Sequence, residues 1–98
     1  MEFCGLNSNI IKVIKNILHN NFKVKKAAIF GSRAKNNFTE KSDIDIVIFD
    51  NNITVKELAN IKAEFLESSL PYFVDVILFD KVNKKFQQEI MSNYIELL

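Results

Sequence analysis

Three aspartates set in otherwise apolar segments are the residues of this 98-residue chain best suited to chemistry. Asp43 and Asp45 stand at i and i+2 at the head of the apolar run 43–49, and Asp75 interrupts the run 72–79. Alternate residues of a strand project from one face, so the first two carboxylates point the same way. Asp75 would be costly to bury among Phe73, Val74, Val76 and Ile77 without a partner or a metal. Gly31-Ser32, followed by Arg33, precedes Asp43 with ten residues between Ser32 and Asp43. Gly31 lets the backbone turn sharply and approach a ligand closely. Ser32 and Arg33 stand where a helix begins, and the free N–H groups there favour phosphate. Phosphate donors facing paired carboxylates are what a magnesium–nucleotide site requires.

Each feature also has a plainer explanation. Asp-X-Asp at a strand head can simply discourage edge pairing. Asp75 can face solvent from an edge strand, and Arg33 can face solvent from a helix. The three aspartates together, with Gly-Ser at this distance, favour a single site over three coincidences.

Elements able to position these residues can be read from the pattern. Asn7 or Ser8 caps a helix whose apolar positions Ile10, Ile14, Ile17 and Leu18 recur at helical spacing. Segment 27–30 is a short apolar strand stopped by Gly31, its alanines suiting a central strand covered closely by helices. A brief helix over 32–36 and a polar loop over 37–42 follow. Segment 43–49 is the second strand, with Ile44, Ile46 and Ile48 on one face and Asp43, Asp45, Val47 and Phe49 on the other. Thr54 and Glu57 form a capping box for a helix with Leu58, Ile61, Phe65 and Leu66 on its inner stripe. Segment 72–79 is the third strand. Asp80 then opens a last helix carrying Val82, Phe86, Ile90, Tyr94 and Leu97 on one side. The expected order is αβαβαβα, an α/β fold with a small mixed sheet covered by helices.

The site fixes strand directions. Ser32 follows the end of strand one but must meet Asp43 at the start of strand two, so neighbouring strands one and two run antiparallel. Asp75 lies near the start of strand three and must also meet the start of strand two, so those two run parallel. The helix between Asp45 and Asp75 suits a right-handed crossover.

Composition sets the frame. At 98 residues, 48% of them apolar, one domain over 1–98 with a single core is expected. A net charge of +1 gives no general pull toward nucleic acid. The lysines near 23–26 and 81–85 read as solvated faces. The single cysteine, Cys4, has no partner for an internal disulfide, and neither it nor His19 has metal-ligand company. With no secretory leader and no apolar run long enough to span a bilayer, a cytoplasmic setting without a membrane partner is expected.

Gly31-Ser32, ten residues, then Asp43-Ile44-Asp45 resembles the head motif of the polymerase-beta-like nucleotidyltransferases. The chain looks most like their minimal nucleotidyltransferase (MNT) domain, the antitoxin half of HEPN–MNT toxin–antitoxin pairs. One departure is Asn36, where relatives place a glycine; Asn is the next most tolerant residue of left-handed backbone. The resemblance implies the nucleotidyltransferase fold, one or two Mg²⁺ ions held by Asp43, Asp45 and Asp75, and ATP as nucleotide donor. It implies Gly31, Ser32 and Arg33 at the phosphates, and Asp75 helping to deprotonate the acceptor. AMP would pass to a hydroxyl, a tyrosine, of a partner HEPN ribonuclease toxin and silence it. Two other functions compete: an antitoxin that neutralises by masking, and nucleotide addition to a small molecule or RNA end.

Overall fold

The computed structural model describes residues 2–98. Its first feature is a hairpin of β1 (Glu2–Phe3) and β2 (Leu6–Asn7), in a segment where the sequence shows no pattern. The two turn residues, Cys4 and Gly5, both have positive φ (56° and 74°), the conformation a two-residue hairpin turn favours. Leu6 is fully buried, so the core begins before the first helix.

Helix α1 (Ser8–His19) is capped by Asn7, whose Oδ1 accepts the Ile10 N–H at 3.0 Å. It buries Ile14, Ile17 and Leu18, while Ile10 is half-buried and His19 exposed. Strand β3 (Ala27–Phe30) follows and is buried along its whole length. The expected helix over 32–36 is instead a compact turn, closed by Lys35 N–H to Gly31 O and Asn37 N–H to Ser32 O, both at 3.1 Å. Asn36 ends the turn at φ 61°, the left-handed conformation its side chain tolerates. Strand β4 (Ile44–Ile48) comes next.

Helix α2 (Val55–Glu67) carries the expected capping box: Thr54 Oγ1 accepts the Glu57 N–H and Glu57 Oε1 accepts the Thr54 N–H. Its inner stripe is Leu58, Ile61 and Phe65; Leu66, expected there too, points out and is 78% exposed. Strand β5 (Val74–Leu78) leads into a 3-10 turn at Phe79–Lys81. Asp80 therefore caps no long helix. Helix α3 (Lys84–Ser92) starts later, with Asn83 Oδ1 accepting the Phe86 N–H at 2.8 Å.

The last helix also ends sooner than its apolar spacing suggests. Beyond Asn93 the chain extends into β6 (Ile95–Glu96), so Tyr94 and Leu97 are not on α3. Helical spacing of three would keep both on one side. Extended backbone sends residues three apart to opposite faces, and here Tyr94 packs on one side of the sheet and Leu97 on the other.

The sheet runs in the order β5-β4-β3-β6, four strands where three were expected. As the site required, β3 and β4 are antiparallel and β4 and β5 parallel. One face, with Ile29, Ile44, Ile46, Ile48 and Val76, packs on α1 and α2 around Ile14, Leu18, Ile61 and Phe65. Each fully buried aliphatic side chain stabilises by roughly 1.5–3 kcal/mol. The other face carries Ala28, Phe30 and Val47 against Ile90 and Phe86 of α3. No helix among the described residues is long and apolar enough to cross a membrane.

Candidate active site

The second sheet face ends in carboxylates. Antiparallel pairing sets Phe30 opposite Asp45, and parallel pairing sets Asp45 opposite Asp75. Asp43 lies one residue ahead of β4, in line with Asp45 by the two-residue period, and is exposed. Asp45 and Asp75 are half-buried. Alternation explains how β5 tolerates its charge: Val74, Val76 and Leu78 take the core side, leaving Asp75 for the other.

Gly31 follows β3 directly and meets this cluster. Its φ is 75°, and a Cβ there would land on the Asp45 carboxylate. Both the backbone conformation and the close approach require glycine. Ser32 is half-buried next to it. The N–H groups of Ser32, Arg33 and Ala34 precede the first hydrogen bond of the turn, that of Lys35 to Gly31, and find no carbonyl within it.

Electrostatics tie the aspartates together. The Asp45 carboxyl is held above its ordinary range, first by burial, then by the negative charge of Asp75, then by that of Asp43. The arrangement is open, however. Among the described residues, no three acidic, imidazole or thiol side chains are drawn close enough to form a ready-made metal cage.

Arg33 departs from expectation. It was expected at the phosphates, but it is 1% exposed, with Nη1 donating to Cys4 O and Nη2 to Ser42 O, each at 2.9 Å. The cation this turn does present to solvent is Lys35, which lines a small cavity of about 70 Å³ with Phe30, Gly31 and Phe86. No motif marks Lys35 in the sequence; its place two residues beyond Arg33 in the same turn is the available signal. A larger cavity, about 220 Å³, adjoins Asp75 and is lined by Lys62, Leu66, Leu70, Tyr72 and Phe73 among others.

Residues 12–98 match the family described as polymerase beta, nucleotidyltransferase. The chain belongs to that family. Its nucleotidyltransferase relatives include two proteins of Methanocaldococcus jannaschii, each named "Putative protein adenylyltransferase". One is 36% identical over 76 residues, covering 76% of this chain and 81% of the relative. The other is 38% identical over 80 residues, covering 79% of each. The nucleotidyltransferase fold recurs in the structure of a toxin-antitoxin with AMP-PNP, at a TM-score of 0.74 and 21% identity over 90% of this chain and 72% of that one. It recurs too in a mutant of the toxin-antitoxin MntA-HpeT with two aspartate-to-glutamate changes two positions apart. That match has a TM-score of 0.68 at 22% identity, over 95% of this chain and 73% of that one. This chain is thus a nucleotidyltransferase by family, and its fold is the one found in toxin–antitoxin structures.

Proposed function

We propose that this nucleotidyltransferase is an antitoxin that transfers AMP from ATP to a hydroxyl, a tyrosine's, on a partner HEPN-type ribonuclease toxin. The observation that carries the reading is the convergence of Gly31, Asp45 and Asp75 at one end of β3, β4 and β5, with Asp43 in line. Relatives named as protein adenylyltransferases support AMP as the transferred group and protein as the acceptor. The AMP-PNP-bound structure supports an adenine nucleotide.

The donor chemistry suits a hard divalent cation: the Asp45 and Asp75 carboxylates are paired, Asp43 is in line, and Asp45 is already disfavoured as an anion, first by burial and then by its neighbours. Asp43 and Asp45, completed by Asp75, would hold one or two Mg²⁺ ions, which supply charge neutralisation at the phosphates. Ser32 and the turn amides would bind the terminal phosphates, with Lys35 as the available cation in place of Arg33. The acceptor oxygen bonds to the α-phosphorus, the α–β anhydride breaks, and pyrophosphate leaves. Asp75 would take the proton from the acceptor hydroxyl.

A protein acceptor suits the surroundings of Asp75. Leu66 and Phe73, 78% and 60% exposed, flank the adjoining cavity and would be covered by a docked partner. The test is incubation of the purified pair with ATP labelled at the α-phosphate. Label is expected on the toxin with Mg²⁺ and none with EDTA; label retained in EDTA overturns the metal-dependent site, and none under either condition overturns the transfer.

A further inference from the structure

Among the described residues, Arg33 is the one charged side chain buried outright. Its surroundings are odd for a cation. Among the described side chains no carboxylate pairs with it; the two backbone carbonyls of Cys4 and Ser42 accept from its terminal nitrogens, and Nε has no partner among them. The rings of Phe38 and Tyr72 lie 5.0 and 4.9 Å from Cζ. Cation–π contact and two carbonyls offset only part of the desolvation of a guanidinium. An apolar residue of similar volume would fill the space without that cost, so filling space does not account for the charge.

What a guanidinium alone provides is a rigid planar fork that joins separate segments at fixed angles. The segments joined here are those that carry the site. Arg33 itself follows Ser32; Ser42 directly precedes Asp43; Tyr72 lies three residues before Asp75. The other carbonyl, that of Cys4, belongs to the β1–β2 turn. That turn is closed down on the guanidinium: a Cβ at Gly5 would collide with the Phe38 ring and stand 3.2 Å from Nη1.

We propose that Arg33 is a positioning residue, whose guanidinium sets where Ser32, Asp43 and Asp75 stand relative to one another without touching nucleotide. The proposal rests on the nucleotidyl-transfer reading of that site. It extends the site's frame to the hairpin, which lies ahead of the family match at 12–98.

The test uses the full chain with Arg33→Lys and Arg33→Met, assayed for AMP transfer to the toxin at varied MgATP, well below each variant's melting temperature. Lysine keeps the charge but cannot span two carbonyls between two rings. Both variants should lose at least about tenfold in kcat, because misplacing catalytic groups by an ångström costs up to ~10²-fold. KM for ATP should stay within about threefold. A KM raised tenfold by Met and restored by Lys would mean a phosphate ligand, and an unchanged kcat would mean a merely structural residue; either overturns the proposal. If Arg33→Met does not fold, Gly5→Ala and Tyr72→Leu, which disturb the guanidinium's neighbours, must show the same kcat loss, and normal kcat in both overturns it. Wild-type protein that transfers nothing would sink the functional reading instead. Amide exchange then decides the positioning claim: Arg33→Lys should speed exchange over 42–44 and 73–75 but not over 27–30, and equal protection overturns it.

Discussion

Asp45 and Asp75 are direct neighbours across the parallel pairing of β4 and β5, two like charges on one face of a sheet. Such a pair is unfavourable to a bare fold, and it raises the Asp45 carboxyl above its ordinary value of 3.8 after burial has already done so. A group whose folded pKa is raised weakens the fold as pH climbs from that ordinary value through the folded one. Metal-free Asp45→Asn should therefore melt higher than wild type at pH 7, and the gap should shrink toward pH 4. Thermal unfolding by circular dichroism across that range checks it; a variant less stable at pH 7 contradicts the crowding.

Glu57 provides the opposite sign. Its carboxylate accepts the Thr54 N–H and pairs with Lys23 at 3.0 Å, and its pKa falls from 4.5 to about 2, chiefly through that backbone bond and then through Lys23. The stability it adds is complete above about pH 4.5 and is lost as pH falls toward 2. Glu57→Gln should flatten acid unfolding in that window. Thr54→Ala, which removes the reciprocal cap, should cost about 1 kcal/mol by urea denaturation.

Gly31→Ala tests the close approach of the turn to Asp45. Left-handed backbone costs a non-glycine residue roughly 1–2 kcal/mol, and the new Cβ would displace the carboxylate. The melting temperature should fall by about 4–8 °C per kcal/mol in a domain of this size. Transfer measured where the variant is fully folded should still drop by at least about 10²-fold. Normal transfer by folded Gly31→Ala would show that the turn does not set the position of Asp45.

Much of this was legible in the sequence because the site itself constrained the sheet. Ser32, Asp43 and Asp75 had to meet, and that requirement alone set the antiparallel and parallel pairings that the structure contains. The capping box and the two faces of β4 followed from local chemistry. Illegible parts depended on tertiary contact. Arg33 reads as a surface cation until the rings of Phe38 and Tyr72 close over it. The run from Phe86 to Leu97 keeps a helical period past Asn93, yet β3 offers an open edge, and pairing with it wins. Short strands of two residues, such as β1 and β6, carry too little pattern to be seen alone.

Catalysis, rather than masking, is the proposed basis of protection by this chain. Asp43→Asn with Asp45→Asn removes two charges while preserving side-chain shape, and neither residue belongs to the buried core. The double variant should stay folded and still bind its toxin, because neither position lies among the exposed apolar residues available to a partner. Metal-held phosphates provide most of the rate in phosphoryl transfer, so AMP transfer should fall by orders of magnitude. The decisive measurement is growth of cells expressing the toxin with either antitoxin, alongside the mass of the toxin recovered. Arrested growth and unmodified toxin are expected with the double variant, against normal growth and toxin heavier by AMP with the wild type. Full protection by the folded double variant, with the toxin unmodified, would contradict catalytic protection and leave masking as the mechanism.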